Sequence, residues 1–235
     1  MNGRTLSNSM LIAFFLSNYA VLEACSEQSL RKVMCVSLGW NCFPALNFNK
    51  SSLRYASFPF DWNQTSFYGL YHLLENSFAD FLNPEYLVYE RPGSAGILNI
   101  KHAIAFSHDF PVVRDAQGID HVVDNYVDYI PEIQEKYDRR IKRLYAVCSM
   151  AKHVYFFRTC SQWSYDNQLG KREVEMLRDL LRRLFPQNNW TLVVINREDS
   201  YRHDWQMPQV NNFYMHDENR HEEWEAIFRA LGLMQ

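Results

Sequence analysis

The sequence has no basic excess, no cysteine framework, no repeat and no apolar stretch of membrane length, and each absence removes a class of protein. Twenty-four lysines and arginines face twenty-seven aspartates and glutamates, a formal net charge of −3. The electrostatic footprint of a general nucleic-acid binder is therefore missing. The local basic clusters "YDRRIKR" and "LRDLLRRLF" are diluted by acidic neighbours and read as solvated helix faces. The five cysteines, Cys25, Cys35, Cys42, Cys148 and Cys160, form neither an even set at framework spacing nor a CxxC pair. That excludes a disulfide scaffold and a zinc ribbon, and points to a mostly reduced protein. No repeat, low-complexity tract or proline-rich linker divides the chain. Its 235 residues, 47% hydrophobic and 15% aromatic, suffice for one large domain with a sizeable core.

The beginning of the chain carries two readings. One arginine, an apolar run from Met10 to Leu16, and small residues at Ala24 and Cys25 are features of an export signal. Asn18, Tyr19 and Glu23 interrupt that pattern and suit an N-terminal helix. Residues 1–28 are accordingly set apart from a single domain over 29–235. The expected location is cytoplasmic, or exported if the first 25 residues act as a signal. The run is too short and too polar to predict a stable membrane span.

What the sequence does contain is an alternation. Lys32–Leu38, His153–Arg158 and Thr191–Asn196 are continuous apolar runs, the pattern of strands buried on both faces, with a weaker fourth at Asn212–His216. Between and after them lie helical periods. Ile133, Tyr137, Ile141, Leu144 and Cys148 share one face, as do Val174, Leu177, Leu180, Leu181 and Leu184 before Pro186. Trp224, Ile227, Phe228 and Leu231 share another before Gly232. The spacing predicts an α/β fold, a mainly parallel central sheet flanked by helices in three layers. Ser66–Val123 differs. It is aromatic-rich with "NPEY" and "RPGSAG" turns, and reads as an inserted cap or loops near the edge where the strands end. Substrate sites in such sheets lie at that edge.

The phrase "SLGWNC" runs from the first strand through Gly39 to Cys42. Asn41 or Asn47 could cap the next element, and Pro44 is compatible with a helix start. A thiol at a helix start faces unpaired N–H groups and the positive end of the helix dipole, which favour thiolate and could hold an oxyanion. The alternative is a small packed residue. A cysteine nucleophile needs a base. "AFSHDF" puts His108 after an apolar run with Asp109 beside it, although neighbours on an extended chain point to opposite faces. Asp61 in "PFDW" is the better carboxylate to orient the imidazole. Arg158 follows an apolar strand and could clamp an anionic group or simply pair with a nearby acid. Asn41, Trp62 and Arg158 are candidates to line a substrate. Near the end, "MHDENRHEEW" offers Asp217 and His221, which resemble the last block of SGNH-type esterases, with Cys42 where their nucleophile stands. Asp217 and His221 are four residues apart, so the acid-x-x-His spacing is not matched. No third ligand at a recognisable spacing suggests a metal.

Taken together, "SLGWNC", "ALNFNKSSLRYASFPFDW", "FSHDF", "KYDRRIKRL" and "VYFFRT" resemble a family of papain-like cysteine peptidases, a domain of unknown function in bacteria and some large viruses. The match covers Val33 to Arg158 and is looser beyond. The resemblance implies Cys42 as nucleophile and His108 as base, and it makes a papain-like α+β fold the alternative architecture. The resulting expectation is a thiol-dependent acyl hydrolase without metal or organic cofactor. It would act on a peptide, ester or glycan-linked substrate, with Asp61 or Asp109 orienting the imidazole, and its oligomeric state is open. An esterase or acyltransferase acting on glycans through Cys42, Asp217 and His221 is the first alternative. A non-catalytic glycan- or protein-binding module using the aromatic middle region is the second.

Overall fold

The computed structural model describes residues 32–91, 95–160, 169–187, 189–197 and 205–235; the expected N-terminal helix or signal over 1–28 lies outside them. In chain order, β1 (Val33–Ser37) leads to α1 (Phe43–Lys50), and then to β2 (Asn63–Thr65), α2 (Phe67–Glu75), β3 (Leu87–Tyr89), β4 (Ile97–Asn99), β5 (Ile104–Phe106), β6 (Val112–Arg114) and β7 (Asp120–Val122). The long helix α3 (Ile130–Met150) returns the chain to β8 (His153–Thr159), followed by α4 (Lys171–Leu184), β9 (Trp190–Asn196), β10 (Val210–Tyr214) and α5 (His221–Ala230).

Four of these strands form the central sheet in the order β1-β8-β9-β10, all parallel. Side chains alternate across the pleat, so one face carries Met34, Val36, Val154, Phe156, Leu192 and Val194. The other carries Cys35, Phe157, Val193 and Ile195. Both faces are covered, which is why the strands read as unbroken apolar runs. On the first face, α3 packs Ile133, Tyr137, Leu144 and Cys148, and α4 packs Val174, Leu177, Leu180 and Leu181. On the second, α1 contributes Phe48 and α5 contributes Trp224, Ile227 and Phe228. Burying each such large apolar side chain contributes about 1.5–3 kcal/mol. The three-layer α/β arrangement is thus the one present, rather than the papain-like α+β alternative.

The insert between β1 and β8 is more regular than a set of loops. It holds an antiparallel sheet in the order β2-β5-β4-β3 and a separate β6–β7 hairpin. The helix α2 begins where the Ser66 hydroxyl accepts the Gly69 N–H at 2.9 Å. The phenylalanines of the insert are buried and structural. Phe67, Phe78, Phe81 and Phe106 join the first-face core, and Phe81 meets Phe106 and Tyr137 with ring centroids 5.2 and 4.9 Å apart. Among the described residues, no helix is long and apolar enough to cross a membrane.

Candidate functional site

The turn after β1 is fixed by the ends of β8 and β2. Gly39 has φ +82°, and its peptide bond to Trp40 is cis. A Cβ there would stand 2.0 Å from Thr65 Oγ1, so glycine is required both by conformation and by space. The Gly39 carbonyl accepts the Thr159 N–H and hydroxyl, both at 3.1 Å. The Trp40 N–H donates to Thr159 Oγ1 at 3.1 Å, and the Trp40 carbonyl accepts the Thr65 N–H at 2.8 Å. Beneath this turn the Arg158 guanidinium is fully buried. It donates through Nη1 to the Leu38 carbonyl (3.0 Å) and Thr65 Oγ1 (2.9 Å), and through Nη2 to the Thr65 carbonyl (2.9 Å). Arg158 therefore does not emerge at the sheet edge to clamp a ligand. It ties the β1 turn to the inserted sheet.

This turn delivers Cys42 to the N-terminal cap position of α1. The thiol is half-buried and in no disulfide. Burial pushes the Cys42 thiol above its ordinary pKa; its own backbone N–H works in the opposite direction, and the charge of Glu218 adds to the upward push. The expected helix-start thiolate is thus not the resting form. The reason is local: the Phe43 N–H is taken by Asn41 Oδ1 at 3.0 Å, and Pro44 has no N–H to offer. Little of the first-turn field remains free to oppose desolvation.

The segment between β10 and α5 brings further polar groups to this place. Glu218 is buried, its carbonyl held by Trp224 Nε1 at 2.9 Å. Its Oε1 pairs with Arg197 Nη1 at 3.1 Å, both side chains being only 9% exposed. Oε2 is buried with no hydrogen-bond donor among the described residues, and the Asn41 amide lies beside the carboxyl. Desolvation raises the Glu218 pKa against the opposing pull of Arg197 and Asn41. His221 places Nδ1 2.7 Å from Asn47 Oδ1. Asn47 Nδ2 donates to the Phe43 carbonyl at 2.9 Å, which fixes the amide and assigns the proton to His221 Nδ1. The other ring nitrogen, Nε2, faces Glu225 at 3.5 Å. His221 is thereby joined to the helix that carries Cys42.

The other predicted residues go elsewhere. His108 is exposed, its ring edge-on to Trp62 with centroids 6.3 Å apart. Trp62 in turn carries Arg54 over its face at 5.2 Å. Neither candidate orienting carboxylate bonds His108. Asp61 is buried and accepts from Arg54 Nη2 and from the Phe58 N–H, each at 3.0 Å. Asp109 is held by Lys136 at 2.6 Å and by the Tyr137 hydroxyl at 2.7 Å. Asp217 accepts the Asn219 N–H (3.0 Å) and Nδ2 (2.8 Å), bonds that hold its carboxyl below the usual range, and it makes no bond to His221. Glu218 is not among the residues that the sequence singles out. The signal that finds it is spacing: Glu218, unlike Asp217, stands three residues before His221.

A doubly covered parallel sheet with a half-buried cysteine capping the helix after its first strand defines an α/β protein with a candidate thiol centre at its carboxyl edge. The chain belongs to the family described as "Putative papain-like cysteine peptidase (DUF1796)", which matches residues 33–199. It is also similar to an uncharacterised protein, R408, of Acanthamoeba polyphaga mimivirus. The two are 26% identical over 182 residues, covering 68% of this chain and 77% of the viral one. No solved structure matches the chain significantly.

Proposed function

We propose that the protein is a thiol-dependent acyl hydrolase, with peptide bonds the substrate class that its family points to. The observation that carries this reading is the position of Cys42, half-buried on a rigidly anchored turn at the carboxyl edge of a parallel sheet, where such folds hold their ligands. His221 is the favoured base. It is hydrogen-bonded to the Cys42 helix, whereas His108 is exposed against Trp62.

The resting thiol requires a base that acts during attack rather than a preformed thiolate. As the Cys42 sulfur bonds to the acyl carbon, its proton passes to His221, and the carbonyl electron pair moves onto oxygen. The Cys42 backbone N–H is a candidate donor to that oxygen. Collapse breaks the bond to the leaving group, which takes the proton from the imidazolium. Water then gives a proton to the imidazole and attacks the thioester; the acid product departs, and the sulfur recovers the proton. The acid-x-x-His spacing of Glu218 and His221 supports a second reading, an esterase or acyltransferase acting on glycans with the same nucleophile.

Turnover of a mixed library of short peptide amides and acyl esters tests the proposal. Cys42→Ala is expected to abolish hydrolysis, and His221→Ala to reduce kcat by about 10²-fold or more, while His108→Ala stays near wild type. Hydrolysis that survives Cys42→Ala refutes the nucleophile. No turnover, together with no acylation of Cys42, leaves the binding-module reading in its place.

A further inference from the structure

We propose that Arg54, Arg140 and Arg143 form a binding site for a phosphomonoester dianion. The site shares no residue with the Cys42 centre, and it stands whether or not Cys42 is a nucleophile.

The basic cluster "YDRRIKR" divides between two sides of α3. Arg139 and Lys142 are exposed, in company with Glu135 and Asp138, as a solvated face requires. Lys136, Arg140 and Arg143 are half-buried, and their spacing of four and then three residues puts them on one stripe. That stripe meets the "RYASFPFDW" segment. Arg143 Nη1 donates to the Ser57 carbonyl at 2.7 Å, and Arg54 Nη2 donates to Ser57 Oγ at 2.9 Å. Two guanidiniums from distant parts of the chain thus converge on a single serine. Arg140 stands one turn before Arg143, with its guanidinium over the buried Tyr137 ring at 5.2 Å.

The charges in this place do not balance. Among the described residues, Arg54, Lys136, Arg140 and Arg143 form ion pairs with only two carboxylates, Asp61 with Arg54 and Asp109 with Lys136. Arg140 and Arg143 have none, and Arg140 makes no hydrogen bond among the described residues. Like charges held one turn apart and half out of water repel more than they would in solution. Arg140 Nη1 and Arg54 Nε are closed to solvent and touch no ligand. The other nitrogens without partners, Nε and Nη2 of Arg140 and of Arg143 and Nη1 of Arg54, are open. Guanidinium charge is delocalised, so an anion on the open edge neutralises the whole group. Two surplus cations match a dianion, and planar forks anchored by Ser57 and Tyr137 suit the three terminal oxygens of a phosphomonoester. A carboxylate or a phosphodiester brings one charge and leaves one guanidinium unmatched.

Equilibrium dialysis of the full chain against radiolabelled inorganic phosphate tests this, at about pH 8, where phosphate monoesters are dianions. Ionic strength is held constant with chloride, so that general screening does not change. The wild type is expected to bind phosphate saturably, and Arg140→Met to bind about tenfold more weakly or worse, the worth of one hydrogen bond to a charged group. Methionine leaves no partner of Arg140 stranded and keeps an apolar stem over Tyr137, so this variant should fold. Arg139→Met removes the same charge from the exposed side of α3 and is expected to change nothing. No saturable binding by the wild type overturns the proposal, as does an equal loss in the two variants, which would mark mere attraction to a basic helix. Displacement from the wild type needs no variant. Methyl phosphate should release the label, whereas dimethyl phosphate and acetate at the same concentration should not. Release by dimethyl phosphate would point instead to a diester such as a nucleic-acid backbone, and release by acetate to a carboxylate; either overturns the monoester assignment.

Discussion

Adding one methyl group at Gly39 should unsettle the candidate site from beneath. The residue sits at φ +82°, where a side chain costs about 1–2 kcal/mol. The new Cβ would also stand 2.0 Å from Thr65 Oγ1 and 3.1 Å from Arg158 Nη1. Thr65 must move, and its 2.9 Å bond from the buried Arg158 guanidinium is lost with it, about 1.5–3 kcal/mol for a bond to a charged donor. Gly39→Ala is therefore expected to cost about 3–5 kcal/mol, a large part of the about 5–15 kcal/mol that holds a domain together. Equilibrium urea unfolding followed by tryptophan fluorescence measures it. A double-mutant cycle isolates the cause: in a Thr65→Ala background the clash is relieved, and the same change should cost only the conformational part, about 1–2 kcal/mol. Equal costs in the two backgrounds would refute the steric argument, and a cost under about 1 kcal/mol in the wild type would refute both parts of it.

Arg158→Leu should strand the Leu38 and Thr65 carbonyls and lower stability by about 2–5 kcal/mol in the same unfolding assay; an unchanged midpoint would deny the guanidinium its role as a tie. Asp61→Asn should cost about 1–3 kcal/mol while leaving turnover intact, because its partners are Arg54 and the Phe58 N–H; lost turnover in a fully stable variant would restore its orienting role. Burial pushes the Cys35 thiol from 9.0 up to about 12, so the folded state holds that proton more tightly than the unfolded one. Its contribution is complete below pH 9 and is lost as pH rises toward about 12, at up to about 1.4 kcal/mol per pH unit. Stability profiles of wild type and Cys35→Ala should diverge in slope across that window, and parallel profiles would contradict the assignment.

The central sheet was legible because β1, β8 and β9 bury both faces and so carry apolar runs long enough to stand out. The amphipathic periods of α3, α4 and α5 were legible for the same reason, since each has one face against the sheet. The inserted sheet was not. Its strands β2 to β5 are three residues each, too short to show a period of two against aromatic neighbours. Cys42 could be found from a glycine turn after a strand, but its ionisation could not, because that depends on burial and on Glu218 from the far end of the chain. Asp61 and Asp109 looked available beside Trp62 and His108. Their partners, Arg54 and the Lys136–Tyr137 pair, are set by tertiary folding, which local sequence does not display. Arg158 looked like a strand-end cation for the same reason, although its donors turn inward to two carbonyls. Glu218 shows the converse. A charge one would assign to solvent is buried once Trp224 and Arg197 close around it.

The pairing of β1 with β8 has a consequence in time. Gly39 and Thr159, whose bonds set the Cys42 turn, are 120 residues apart in the chain. On a ribosome adding about 5–20 residues each second, β1 waits on the order of ten seconds for the strand that fixes it. Long-range parallel pairing of this kind is also slow to close in a complete chain. The turn beneath Cys42 is therefore among the last parts of the molecule to be set. A newly made chain carries an unshielded cysteine until the insert has folded and β8 has docked, so the rate at which Cys42 becomes guarded is a clock for the completion of the fold.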